Sequence, residues 1–318
     1  MADPVLKWAG GKRQILQRIR EHFRRAEDIE GYHEPFVGGG AVFFREGHEY
    51  GGGTINDINV RLVNFYRVLK NDTEGLLDEF SLLRERKPDD EPNSALDYDQ
   101  VDQHDREIDN YYYQVRAIFN KRPNGEEFDE VREAAIMLWL NRTCFNGLYR
   151  ENRSGEFNVP IGSHKNLGLD MDAKIQQAAD ALKSADVDIK NEDFGYVEDY
   201  AEPGDLVYFD PPYDPNSASS SFVEYTSESF GKDEQRRLKE LAVDLDAKGV
   251  DVVISNAPSV TDLYEEEEVA KYFDHSKVGA RRAINSDGDS RGEVNEVIIT
   301  NIDEEDRRHA HPNLSDYP

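Results

Sequence analysis

The sequence predicts an α/β protein built on an open sheet that an insertion interrupts. Short apolar runs recur, each ending in an acid or amide and followed by helix-spaced residues, the alternation a largely parallel sheet requires. One run, Val207-Tyr208-Phe209-Asp210-Pro211-Pro212-Tyr213, stops sharply at two prolines, which lack an N–H and fix φ. It presents Asp210, the Pro211 carbonyl and the Tyr213 ring at a strand's carboxyl end, where open α/β sheets bind ligands. Finally, residues 61–184 carry helical spacing and a hairpin between the second run and the third, a segment of the size of a small inserted domain.

Length and composition fit this class. At 318 residues and 37% hydrophobic, the chain can bury a main core and a smaller second one. It has no apolar run long enough to span a membrane, and Met1-Ala2-Asp3-Pro4 has no basic-then-apolar signal pattern, so a cytoplasmic location is expected. A single cysteine, Cys144, excludes an intramolecular disulfide framework and a cysteine-cluster metal site. It is expected to be a packing residue, and no metal is expected.

Charge is the unusual property. Against 38 Lys+Arg stand 66 Asp+Glu, a formal net charge of −28. That balance argues against a nucleic-acid partner, which usually meets a basic face. The acids are spread along the chain, however, and spread acidity on an ordinary fold pattern predicts a protein that works in concentrated salt, where self-repulsion is screened.

In chain order, Trp8-Ala9-Gly10-Gly11-Lys12 forms a turn, and the spacing of Ile15, Leu16, Ile19 and Phe23 predicts a helix over 13–25. A short strand then enters the loop Pro35-Phe36-Val37-Gly38-Gly39-Gly40, whose glycines allow close approach to a ligand. A second strand ends at Asn56-Asp57-Ile58-Asn59. An acid at this point suits ribose hydroxyls, the alternative being that Asp57 caps the next helix. Helical spacing runs from Val60 to Phe80, then a polar, acidic linker over 84–110, then helices over Tyr111–Asn120 and Phe128–Leu140.

Residues 141–166 read as a β-hairpin about Arg153-Ser154-Gly155. Four cations (Arg142, Arg150, Arg153, Lys165) against two acids (Glu151, Glu156) give a local balance of +2 in a chain of −28. Arginine and asparagine beside exposed aromatics suit base-edge reading and wedging between bases. After a helix near Met171–Lys183 come a strand leading to Asp193 and Phe194, the strand ending at Asp210, a Ser/Asn-rich loop over 214–229 expected to be mobile, and a helix over Phe230–Lys248 capped by Gly249. Strands at Val250–Asn256 and Glu296–Asn301 follow, separated by a hydrophilic loop holding Arg281, Arg282 and Arg291.

In this order, Trp-Ala-Gly-Gly-Lys (8–12), Pro-Phe-Val-Gly-Gly-Gly (35–40), Asn-Asp-Ile-Asn (56–59), the hairpin, Glu-Asp-Phe (192–194) and Asp-Pro-Pro-Tyr (210–213) resemble the Dam-type (D12 class) DNA adenine-N6 methyltransferases. The resemblance covers residues 5–301. It implies a Rossmann-like S-adenosylmethionine-dependent methyltransferase sheet (1–60 and 185–302) and an inserted helical and β-hairpin DNA-recognition domain (61–184); the charged residues 303–318, expected to be a loose acidic tail, depart from the family pattern. It further implies S-adenosylmethionine as cofactor, bordered by Trp8, Ala9, Gly10 and Lys12, wrapped by Pro35, Phe36, Gly38 and Gly40, and held by Asp57, Ile58, Asp193 and Phe194. Asp210, Pro211, Pro212 and Tyr213 carry catalysis on an adenine flipped out of double-stranded DNA. Phe145, Asn146, Leu148, Arg150 and Pro160 contact the bases of a GATC-like site, with Arg142, Lys165 and Lys7 as further contacts. His164 stands where some GATC-reading members carry an aromatic. A monomer is expected, as is a functional pairing with a restriction endonuclease without a stable complex. An N4-cytosine enzyme usually has Ser before the two prolines, a non-catalytic DNA-binding relic would have lost Asp210, and a dinucleotide oxidoreductase needs a glycine fingerprint this chain lacks.

Overall fold

The computed structural model describes residues 2–93, 110–122, 125, 128–163, 167–213, 230–267, 269–281 and 293–308. Its centre is a seven-stranded sheet of order β3-β2-β1-β4-β5-β7-β6. The strands are β1 (Tyr32–Glu34), β2 (Gly53–Asn56), β3 (Asp188–Lys190), β4 (Leu206–Phe209), β5 (Asp251–Asn256), β6 (Asp274–Arg281) and β7 (Glu293–Thr300). β3, β2, β1, β4 and β5 run parallel, while β7 pairs antiparallel with β5 and β6. The chain fills the sheet outward from β1 to β3 and then from β4 to β5. The order therefore reverses between β1 and β4, the switch point where open sheets leave a crevice.

The strands are apolar on both faces because both faces are covered. Along β4, Leu206 and Tyr208 enter one buried cluster and Val207 and Phe209 the other. The helices are α1 (Leu16–Glu21), α2 (Val60–Asn71), α3 (Thr73–Arg84), α4 (Tyr111–Phe119), α5 (Glu130–Thr143), α6 (Asp172–Ser184), α7 (Val197–Tyr200), α8 (Lys232–Lys248) and α9 (Thr261–Tyr264). Helix α8 lays Leu238, Leu241, Ala242 and Leu245 on one face and stops at Gly249, whose φ of 84° is the left-handed cap expected there. On the opposite face, Phe65, Tyr66 and Trp139 of the insertion share a buried cluster with Tyr32, Ile55 and Tyr208 of the sheet.

Several expectations change. The helix expected over 13–25 is only α1; Lys12 to Ile15 is a turn, with Ile15 N–H bonded to the Lys12 carbonyl at 3.0 Å. The stretch expected as one helix over 60–80 is two. Asp72 leaves helical geometry at φ −138°, ψ 60° and its carboxylate accepts from Gly75 N–H, capping α3. The following helix cap at 59–60 belongs to Asn59, which accepts from Arg61 and Leu62 N–H, and not to Asp57. Helix α5 continues to Thr143, so Asn141 and Arg142 lie on it and not in the hairpin. The hairpin itself keeps its antiparallel course through the Cys144–Ile161 and Glu151–Phe157 bridges, without forming a continuous ladder. Strand β6 was not read from the sequence, because His275, Ser276 and Lys277 interrupt any apolar run at the sheet edge.

The tail is the last correction. Residues 303–308 are tied down: Arg307, only 4% exposed, donates to the Ile302 carbonyl and to Asp274, while Arg308 N–H bonds the Phe23 carbonyl at 2.7 Å. Residues 309–318, the loop over 214–229, His164, Arg282, Arg291 and most of the 84–110 linker lie outside the described residues. Among the described residues no helix is long and apolar enough to cross a membrane.

Candidate active site

At the carboxyl edge of the sheet, four adjacent parallel strands each end near an acid. Glu34 closes β1, Asp57 follows β2, Asp210 follows β4, and Asp193 comes three residues after β3. Proline enforces two of these ends, Pro35 and Pro211. The result is a row of carboxylates and amides across the switch point. This donor and acceptor set suits a ligand carrying hydroxyls, amines and positive charge.

Asp210 is the centre of the row. Its Oδ1 lies 2.9 Å from the Lys12 ammonium, which is 3% exposed; Glu296 Oε2 lies 3.3 Å from the same nitrogen. The Tyr213 hydroxyl accepts from Lys12 Nζ at 2.6 Å. Burial pushes the Asp210 carboxyl up to about 6, with Lys12 opposing and Glu296 adding to the rise. Lys12 shares its charge between two acids, so it cannot fully offset the desolvation of either. Burial works against the Lys12 charge as well, but Asp210 and Glu296 together hold its pKa above the ordinary range. The structure therefore sets Lys12 against the Asp-Pro-Pro-Tyr motif.

The motif is held from below. Pro211 is buried and Pro212 exposed, and the Pro212 carbonyl accepts from Gln235 Nε2 at 3.4 Å. Gln235 Oε1 in turn accepts from Asn256 Nδ2 at 2.9 Å. Gln235 and Glu296 escaped sequence reasoning, yet each carried a signal. Gln235 lies three residues before Leu238 on the apolar stripe of α8, and Glu296 is an acid beside the buried run Val297-Ile298-Ile299. A polar residue on a buried face needs a partner.

The glycine loop takes an unexpected role. A Cβ at Gly38 or Gly39 would come within 2.9 or 2.8 Å of the Trp8 side chain, so these glycines seat Trp8. Trp8 also stacks on Tyr149, with ring centroids 5.1 Å apart, which ties this loop to the hairpin. Gly38 N–H donates to Asp57 Oδ2 at 3.1 Å and Asn59 N–H to Asp57 Oδ1 at 2.9 Å. Burial nevertheless pushes Asp57 up to about 6. Beside it Ile58 is 72% exposed, and Asn191 Nδ2 donates to the Asp57 and Ile58 carbonyls. Asn56, fully buried, bonds the Pro35 carbonyl and both backbone groups of Glu192, fixing the two loops to each other.

Phe36 and Phe194 pack together at 5.4 Å, beside Phe209 and Phe230. Asp193 forms a two-pronged ion pair with Arg237, whose guanidinium carbon lies 4.4 Å over the Phe194 ring. This pair holds the Asp193 carboxyl below the usual range. Ala9 and Gly10 remain in the exposed turn before Lys12. Glu34, which accepts from Tyr32 Oη at 2.7 Å, is so deeply buried that its pKa rises well above the ordinary carboxylate value.

On the hairpin, Phe145 is 41% exposed and Asn146, at φ 56°, projects beside it. Pro160 is exposed and its carbonyl accepts from Phe145 N–H at 2.9 Å. Arg150 is braced by Asn158, Nε to Oδ1 at 2.6 Å, and Leu148 packs at the edge of the core. Arg142 points elsewhere, donating to the Val5 carbonyl at 3.2 Å, and Lys165 lies outside the described residues. Asn141 bonds the Lys7 N–H and carbonyl, both at 2.8 Å, and the Gly147 carbonyl at 3.2 Å. It is the clamp between the N-terminal segment and the hairpin root. Cys144 is buried, and burial pushes its thiol up to about 12, as a packing residue should be.

Comparison with known proteins places this geometry. The family described as D12 class N6 adenine-specific DNA methyltransferase matches residues 8–284. The chain is 40% identical over 307 residues to the Type II methyltransferase M.MjaIII of Methanocaldococcus jannaschii, covering 94% of this chain and 98% of that protein. It is 35% identical over 298 residues to M1.LlaDCHI of Lactococcus lactis subsp. cremoris, covering 94% and 95%. It is 32% identical over 302 residues to the DNA adenine methylase of Escherichia coli (strain K12), covering 92% and 93%.

Proposed function

The chain belongs to the D12 class N6 adenine-specific DNA methyltransferases, and from that premise we propose how its residues divide the work and where on DNA it acts. The enzyme transfers a methyl group from S-adenosylmethionine to N6 of adenine in DNA. The observation that carries the assignment of roles is Asp210, a partly exposed acid at the switch point, ion-paired to Lys12 and adjoining Tyr213.

S-adenosylmethionine supplies an electrophilic methyl group. The residues for it are Asp57 and Ile58, Asp193 and Phe194, the loop over Pro35, Phe36, Gly38 and Gly40, and the turn at Trp8, Ala9, Gly10 and Lys12. Asp57 takes the ribose hydroxyls with the lone pairs that Gly38 and Asn59 N–H leave open. Phe194 and Ile58 offer apolar surface to the adenine ring, and Arg237 must loosen its hold for Asp193 to contact that ring.

The acceptor amine is a poor nucleophile because its lone pair is delocalised into the base. Asp210 Oδ and the Pro211 carbonyl each accept one N6–H bond, which draws the nitrogen toward sp³ geometry. These bonds strengthen as positive charge develops on nitrogen, so they favour the transition state over the ground state. Tyr213 stacks on the base. Because the amine is unreachable inside a duplex, the adenine is flipped out at a cost of about a few kcal/mol. Phe145 wedges into the vacated space, Asn146, Leu148 and Pro160 contact neighbouring bases, and Arg150, held in aim by Asn158, reads a guanine edge of a GATC-like site.

Residues 61–184 form the target-recognition unit on the catalytic sheet. The protein acts as a cytoplasmic monomer, paired in function with a restriction endonuclease it does not bind stably, and it works in concentrated salt. The test is incubation with labelled S-adenosylmethionine and a random-sequence duplex library, followed by nucleoside analysis and mapping. N6-methyladenine confined to one short motif supports this reading. N4-methylcytosine, methylation without sequence preference, or no transfer overturns it.

A further inference from the structure

The root of the hairpin carries a positive surface that the base-reading residues do not use. Arg13 and Arg45 both pair with Asp3, Arg13 at 3.6 Å. Arg142, in the last turn of α5, bonds the Val5 carbonyl, and its buried Nε has no hydrogen-bond partner. Lys174, in the first turn of α6, sits within electrostatic reach of Arg142, Arg13, Asp3 and Arg45, and Lys7 adjoins Arg142. Arg13 and Arg45 thus share the carboxylate of Asp3, with Lys174, Arg142 and Lys7 close by. The acid nearest in sequence on α6, Asp172, is taken by Arg84 at 2.6 and 2.9 Å.

The cations repel one another. Burial, then Arg142 and Arg13, press the Lys174 amine down to about 8, and burial with Arg13 lowers Arg142 as well. In a chain of −28, grouping cations about one acid, with Arg142 and Lys174 half-buried, costs free energy unless a further anion completes the set. The cluster also has a definite place. Lys7 is clamped to Asn141, and its side chain covers Gly147, where an added Cβ would come within 2.4 Å of Lys7 Cδ. Phe145 and Asn146 stand exposed immediately before that glycine. The positive surface is therefore continuous with the wedge.

We propose that Arg13 and Lys174, together with Arg142, bind the phosphate backbone of duplex DNA beside the target site. This rests on duplex DNA as the substrate. The chemistry favours phosphate: guanidinium and ammonium groups converge here, a set that positions a duplex without reading sequence. Three local cations give the acidic protein its electrostatic hold on DNA, and the remainder of its surface repels the duplex into this one orientation.

Fluorescence anisotropy with target and non-target duplexes, over roughly 50–500 mM KCl, tests it. Arg13→Ala/Lys174→Ala is expected to weaken both duplexes by the same factor and to reduce the slope of log affinity against log salt by about 2, since each phosphate contact contributes roughly 0.9. Arg18→Ala, an exposed cation of α1 paired with Glu21, is the control for net charge and should leave the slope unchanged. If the double variant unfolds, Lys174→Gln alone should lower the slope by about 1. An unchanged slope in a folded variant overturns the proposal, as does a loss confined to the target duplex. Wild-type enzyme that methylates no adenine would instead sink the functional reading, which separates the two failures.

Discussion

The Lys12 ammonium lies 2.9 Å from Asp210 Oδ1, an ion pair between residues 198 positions apart in the sequence, and Asp210 is the acid proposed to receive the substrate amine. Its second partner, Glu296, draws the ammonium partly away. Burial first, and the Glu296 charge after it, hold the Asp210 carboxyl up to about 6 against the pull of Lys12, ionised at neutral pH yet available as an acceptor.

Asp210→Asn is expected to abolish methyl transfer, because the amide nitrogen cannot accept a hydrogen bond and the remaining carbonyl accepts more weakly than a carboxylate. The fold should survive. Asp210 is raised above its ordinary value in the folded state, so its protonated form contributes stability that is full below pH 3.8 and is lost as pH rises through about 6. At pH 8 the ionised acid is a net cost, and Lys12 retains Glu296 and Tyr213. The thermal midpoint at pH 8 should be no lower than wild type, with S-adenosylmethionine affinity within a few-fold by calorimetry. A collapsed midpoint would assign Asp210 a structural role.

The single-turnover rate should rise with pH through an acid limb near 6, the point at which Asp210 ionises. Glu296→Gln should move that limb to lower pH by on the order of one unit. Both consequences of the change act in the same direction: a repelling charge is removed, and Lys12 is left to Asp210 alone. A variant whose rate falls equally at every pH would show that Glu296 only supports the fold.

Asn141→Ala removes three hydrogen bonds at the hairpin root and leaves the Lys7 backbone groups unpaired. The expected loss is about 1–3 kcal/mol in chemical denaturation. Target-site discrimination should fall more than the rate on a saturating cognate duplex, because the hairpin and not the Asp210 site loses its anchor. Equal losses on cognate and near-cognate duplexes would contradict this.

Net charge of −28 predicts that the folded state gains from salt. The thermal midpoint should rise from low salt to molar KCl, and activity should persist there. Full stability at low salt with no gain in molar KCl would overturn the expectation of a protein adapted to concentrated salt.

What the sequence determined by itself was local. Proline after Phe209 ends a strand, Gly249 ends α8, and Asp57, Asp193 and Asp210 stand out in the sequence at or just past strand ends. Those signals, in order, pointed to the α/β fold and the motifs of the site, and the family resemblance those motifs carry implied the reaction class. The structure decided what those residues touch. Trp8 explains Gly38 and Gly39; Asn59, two residues past the expected position, caps α2; Asp193 belongs to Arg237; Arg142 turns toward Val5. Gln235, Glu296 and Asn141 gained their roles only when helices and strands distant in sequence packed together. Hydrogen bonds and ion pairs have a reach of a few ångströms, and periodicity gives the face on which a residue lies but not the partner it meets. The sequence therefore placed Asp210 at the end of its strand, and only the tertiary structure set Lys12 against it.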